Sequence, residues 1–178
     1  MAGRTPHEAL AAFLGPLQRA LSCVTPAVLV HRPPVPDHVQ ALGVSEEPIR
    51  LTTTGGGPAP RLYLEQQYEL VKAPGEHGPW KVTTRAYRYR IDSPAGTELV
   101  LWHWHPADRQ GNPHRRPRPH LHAQVGELRG RHLLTGRVSM EAVIRVLLDD
   151  FDVRPRRSNW QSVLDATEAQ FEQWRTWP

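Results

Sequence analysis

Residues 98–127 read ELVLWHWHP, then ADRQGNPHRRPRP, then HLHAQVGE. Two short segments of alternating character each carry a His-x-His triplet, His103-Trp104-His105 and His120-Leu121-His122. Between them lie His114 and the basic side chains Arg115, Arg116 and Arg118. An extended strand sends successive side chains to opposite faces, so His103 projects with His105, and His120 with His122. Val100, Trp102 and Trp104 then share the other face of the first segment, and Leu121, Ala123 and Val125 that of the second. With both apolar faces on one core, all four histidines emerge together on the opposite side.

The same alternation extends upstream. From Arg61 to Val71, Leu62, Leu64, Tyr68 and Leu70 alternate with Arg61, Glu65, Gln67 and Glu69, as in a half-buried strand. Trp80 to Ile91 is a second such strand, with Tyr87, Tyr89 and Ile91 on one face and Arg88 and Arg90 on the other. The turns between them, residues 73–79 and Asp92-Ser93-Pro94-Ala95-Gly96, are rich in Pro and Gly. Short connections of this kind predict an antiparallel meander of four strands or more. The connection from Pro106 to Pro119 is longer than a hairpin needs, a length associated with function.

Helices flank the strands. Thr5-Pro6-His7-Glu8 combines an N-cap, a proline at the first helical position and a capping-box glutamate. Leu10, Phe13, Leu14, Leu17 and Leu21 follow at helical spacing, which predicts a helix over 6–22 with a kink at Gly15-Pro16. Ser139 caps a second helix running to about Asp150, and Ser158-Asn159-Trp160-Gln161 opens a third. Residues 32–60 are rich in Pro and Gly and read as a loop, with a short strand at Ala27–Val30 before it and another at Ile49–Leu51. The expected architecture is α+β: one domain over 1–178, an antiparallel sheet over 61–126 with helices packed on one face, and C-terminal helices over 139–177.

The chain has 178 residues, enough for a sizeable core, and a single cysteine, Cys23, which excludes an internal disulfide. No charged-then-apolar leader opens it and no apolar run approaches a membrane span, so the expectation is a cytoplasmic protein without membrane attachment. Net charge is +4. Residues 1–75 balance six basic against six acidic groups, 76–137 hold eleven against five, and 138–178 hold five against seven. Positive charge therefore gathers around the histidines, as an anionic ligand such as RNA would favour. A merely solvated arginine-rich face is the competing account, since only Lys72 and Lys81 are lysines.

Two chemistries use paired histidines on one sheet face. In acid–base cleavage of RNA, imidazoles move protons at the 2′- and 5′-oxygens while arginine forks hold phosphate. His105, His120 and His122 are the candidates for proton transfer, with Tyr87 or Tyr89 able to replace one carrier. Arg88, Arg90, Arg115, Arg116 and Arg118 are the candidates for phosphate. This route needs no cofactor. In the alternative, His103, His105, His120 and His122 ligate a divalent metal such as zinc. His120-x-His122 followed by Glu127 echoes part of a cupin motif, but nothing after His132 supplies that motif's downstream histidine and the glycine spacing differs. A third possibility is a non-catalytic interaction module, with the tryptophan-bearing last helix docking a partner.

The alternating strand from Leu62, the Tyr87-Arg88-Tyr89-Arg90 strand, the hydrophobic strand after it and Pro119-His120-Leu121-His122 resemble the TumE-like toxins of bacterial toxin–antitoxin pairs. The resemblance covers about Leu62 to Phe151. It implies a small metal-independent ribonuclease acting on RNA and silenced by an antitoxin protein, with Tyr87, Tyr89, His120 and His122 carried over. The Arg-Tyr-Asp-Asn stretch usual in that family appears here as Trp102-His103-Trp104-His105, and the N-terminal helix, the Pro/Gly loop and the C-terminal helix are additions to it.

Overall fold

The computed structural model describes residues 2–73, 75, 77–105 and 118–174. Its elements in chain order are β1 (Ala2–Gly3), α1 (Pro6–Leu21), β2 (Leu29–His31), β3 (Val39–Val44), β4 (Ile49–Arg50), β5 (Arg61–Lys72) and β6 (Trp80–Asp92). They continue with β7 (Glu98–Trp104), β8 (His120–Ala123), β9 (Leu133–Leu134), α2 (Met140–Asp149) and α3 (Trp160–Trp174). The fold is α+β, as the sequence predicts. Among the described residues one open sheet has nine strands in the order β2-β3-β5-β6-β7-β8-β9, with β1 beside β6 and β4 beside β5, and every pairing between these strands is antiparallel.

The predicted caps of α1 and α2 hold, whereas α3 starts at Trp160 with Asn159 as its first carbonyl acceptor. Thr5 Oγ1 accepts from the Glu8 backbone N–H at 3.1 Å, and Ser139 Oγ accepts from that of Ala142 at 3.0 Å, which satisfies donors a helix leaves open in its first turn. α1 runs unbroken through Pro16, which is buried. Leu10, Phe13 and Leu17 of α1 and Val143, Ile144 and Leu147 of α2 join Leu164 of α3 in one apolar cluster with the sheet. The sheet contributes Leu62, Leu64, Tyr68 and Leu70 from β5, Val82, Tyr87, Tyr89 and Ile91 from β6, and Trp104 from β7. All three helices therefore cover one face of the sheet, and no helix among the described residues is long and apolar enough to cross a membrane.

The Pro/Gly-rich segment 32–60 is more ordered than its composition predicts. β3 lies within it and pairs with β5 from Val39↔Glu69 to Leu42↔Gln66. Its own sequence, VQALGV, is short and buries only Leu42 fully, so the strand is specified by the ready edge of β5 rather than by local pattern. The glycine run is also held, since Gly56 N–H donates to the Thr53 carbonyl at 3.2 Å and Thr53 Oγ1 donates to that of Gly57 at 2.9 Å. Thr53 in turn bridges to Val153 beyond α2, so this turn is fastened to the C-terminal part of the chain.

Ile144 is fully buried, whereas Leu134 on the terminal strand is 59% exposed. Ile144→Ala is expected to lower unfolding free energy by roughly 2–5 kcal/mol, through lost transfer energy plus the cavity left behind. Leu134→Ala should change it by about 0.5 kcal/mol or less. Urea unfolding of the two variants checks the assignment of faces.

Candidate metal centre

The register of three antiparallel pairs decides which residues meet. Directly opposed residues share a face. Across β6 and β7, Tyr87 opposes Trp104, Tyr89 opposes Trp102 and Arg88 opposes His103. Across β7 and β8, Trp102 opposes Leu121, His103 opposes His120, and Leu101 opposes His122. Trp102, Trp104, Leu121 and Ala123 therefore lie on the helix-covered face with Tyr87 and Tyr89, and His103, His105, His120 and His122 lie on the other. Val125 alone of the predicted apolar set falls past the end of β8 and is exposed.

A fifth histidine joins them. β8 and β9 pair through Leu121↔Leu133 and His120↔Leu134, so the same register sets His132 opposite His122. His132 lies against His122 with ring centroids 4.1 Å apart, and against His120 at 5.0 Å. Sequence reading passed over His132 because β9 has only two residues, too few to show alternation. The usable signal was the glycine-bounded return: Gly126 and Gly130 take φ of 50° and 75°, which turns the chain back beside the histidine strand.

The tightest group is His103, His120 and His122, whose ligand nitrogens all lie within 4.8 Å of one another. Nε2 of His103 and Nε2 of His122 are 2.9 Å apart, so one imidazole donates its N–H to the bare nitrogen of the other. Nδ1 of His120 is 2.8 Å from the Arg118 carbonyl oxygen. A carbonyl can only accept, so Nδ1 carries the proton and, in the neutral ring, Nε2 keeps its lone pair. Metal-ligating histidines are commonly oriented in this way by a backbone carbonyl on the second nitrogen. His120 is buried, at 3% exposure, and its two partners are half-buried. His105 contacts His103 at 5.1 Å between centroids but stands outside the trio.

Burial and crowding favour the neutral form of His103 and His122. The pKa of His103 is pushed down to about 3, first by desolvation and then by the neighbouring His120, His122, His105 and His132. That of His122 is also lowered, by burial first and by His132 and His120 next, against a small opposing pull from Glu98. Neutral imidazole is the form that binds a metal and that accepts a proton; it is not the form that donates one to a leaving group.

The other predicted site residues are scattered by the fold. Tyr87 and Tyr89 stack on each other at 4.9 Å beneath the helices, on the face away from the histidines. The Tyr87 hydroxyl accepts from the Val138 N–H at 3.1 Å, and that of Tyr89 donates to Gln66 Oε1 at 3.3 Å. Burial raises the pKa of both phenols, so neither is a ready proton carrier. Arg90 is on the histidine side but is held by Asp92, with Nε–Oδ1 at 2.9 Å, and lies over the Tyr63 ring at 3.8 Å. Arg88 is exposed next to His103, and Arg118 is exposed before β8. Glu127 is exposed on the turn at Gly126–Leu128 and is not part of the trio. His114, Arg115 and Arg116 lie outside the described residues.

The lowered imidazole pKa values set an acid limb to stability. Above pH ~6.5 these rings are neutral in both folded and unfolded chains; below it the unfolded chain takes up protons that His103 and His122 refuse. Metal-free stability is therefore expected to fall from pH ~6.5 toward 3, and His103→Gln should flatten that fall. Urea midpoints in EDTA across this range provide the check. Comparison with protein-family models, with curated proteins and with solved structures finds no match, so the reading of this face rests on its own geometry.

Proposed function

We propose that this protein is a transition-metal-binding domain whose ion is held by His103, His120 and His122, with His132 placed to close the site. The observation that carries the reading is the convergence of three imidazole nitrogens within 4.8 Å, one of them preset by the Arg118 carbonyl. Four-coordinate zinc at about 2.0–2.1 Å from nitrogen separates its ligands by roughly 3.3 Å. The spacing here, from 2.9 Å up to 4.8 Å, brackets that value, so small ring rotations complete the set. An all-imidazole set favours zinc, copper, nickel or cobalt over magnesium or calcium. With His132 engaged the ion is a clamp on three strands; with a water in its place the ion lowers that water's pKa toward neutrality. A single buried cysteine suits the reducing cytoplasm, where we place the protein.

A second reading keeps the face for RNA without metal, as in a toxin-like ribonuclease with an antitoxin partner. Its support is Arg88, exposed and opposite His103, beside a shallow recess that Arg88 shares with His105. It is the weaker reading because His103 and His122 are disposed to stay neutral, which leaves a general acid to be found elsewhere.

Equilibrium dialysis of the purified chain against zinc should give about one ion per chain. His120→Ala and His122→Ala should each weaken binding by more than the roughly 10–100-fold typical of losing an orienting partner. Unchanged stoichiometry and affinity in both variants would refute the proposal. Cleavage of total RNA that persists in EDTA and vanishes in His122→Ala would favour the second reading instead.

A further inference from the structure

A second site lies on the opposite face of the sheet, between α1, β6 and the end of α3. A half-open cleft there has a cavity volume of about 60 Å³, room for a few waters or part of one small ligand. Its walls are apolar and aromatic, among them Phe13, Leu17, Val82, Met140, Phe171 and Trp174. One part of its polar lining is self-satisfied: Gln66 Nε2 donates to Thr84 Oγ1 at 3.1 Å, and the Tyr89 hydroxyl donates to Gln66 Oε1.

Glu141 is different. It lines the cleft from the first turn of α2 and is 1% exposed. Among the described residues its Oε2 has no hydrogen-bond partner. A buried carboxyl oxygen without a donor costs stability that a native fold seldom leaves uncompensated. The neighbouring cation, Arg145, is already paired with Asp165 and with Glu168 at 3.5 Å. Burial raises the Glu141 pKa, against the opposing pull of its own backbone N–H, the Thr167 hydroxyl and Arg145. Two cations line the cleft itself, Lys81 and Arg137, and Arg137 lies over the rings of Trp104 and Phe171, at 5.5 and 5.7 Å from their centroids.

We propose that this cleft binds a small aromatic amine, its ring held among Val82, Phe171 and Trp174 and its nitrogen donating to Glu141. The carboxyl requires a donor, and the walls require an apolar body. Aromatic faces add attraction for a cationic nitrogen, and the cation nearest the carboxyl, Arg145, is shared with Asp165 and Glu168. Arg137 sets the polarity of the ligand, because a positive group is repelled from that side. The site is separate from the histidine face and stands or falls without it.

The test is calorimetric titration of the full chain with phenethylamine, with phenylacetate as the same ring in opposite charge. Saturable one-to-one binding of phenethylamine is expected, at least about tenfold tighter than phenylacetate, since a charge-assisted hydrogen bond in a buried site contributes that much or more. Glu141→Gln, nearly isosteric, should lose at least about tenfold, and the Trp174 indole N–H resonance should shift on binding. No saturable binding, equal binding by Glu141→Gln, or an unmoved Trp174 signal would overturn the proposal. Should Glu141→Gln fail to fold, the preference of the wild-type chain decides: equal affinity, or preference for phenylacetate, would transfer recognition to Arg137 and refute the assignment.

Discussion

The antiparallel register of β6, β7 and β8 is the constraint on which both faces of the molecule depend. Side chains alternate with period two, so one register puts the aromatic set Tyr87, Tyr89, Trp102 and Trp104 under the helices and the histidine set above. A slip by one residue would expose four large aromatic rings and press several imidazoles against Leu17, Ile144 and Leu164. Burial of the aromatic rings therefore fixes the register, and the register aligns the histidines. The core does not merely carry the site; it chooses which residues form it.

The histidine face shows what that alignment costs. Imidazoles stacked 4.0–5.1 Å apart and partly withdrawn from water cannot all be protonated, which is why His103 and His122 hold protons poorly. A bound divalent ion would use the crowding, because it would give the neutral ring nitrogens one shared partner. The site also draws on the weakest part of the sheet. β9 has two residue pairs with β8, and Leu133 and Leu134 are exposed, so His132, just before it, leans on a strand with little burial to hold it. An ion shared between β7, β8 and the start of β9 would supply the cross-link that side-chain packing does not.

Much of this was legible in the sequence where the signal is local. The alternation of Leu62, Leu64, Tyr68 and Leu70 marks β5, and the caps at Thr5 and Ser139 mark α1 and α2, because those patterns are set by neighbours in the chain. The shared face of His103, His120 and His122 was legible for the same reason. β3 was not, because VQALGV becomes a strand only by pairing with the distant β5. His132 was not, because its place depends on a turn and a register rather than on its own surroundings. The grouping of Tyr87 and Tyr89 with the histidines disregarded parity: strand alternation already sets both tyrosines against Arg88 and Arg90, and the structure keeps them apart. The unpartnered oxygen of Glu141 has no sequence signature, since it arises only where α2 closes over the sheet.

The central claim is that a metal ion sits among the histidines, and X-ray absorption at the zinc edge of the loaded protein tests it most directly. The account predicts a first shell of nitrogen or oxygen at about 2.0–2.1 Å, with outer-shell scattering from at least three imidazole rings. A shell of oxygen donors alone, or scattering from one imidazole or none, would place the ion elsewhere and contradict the account.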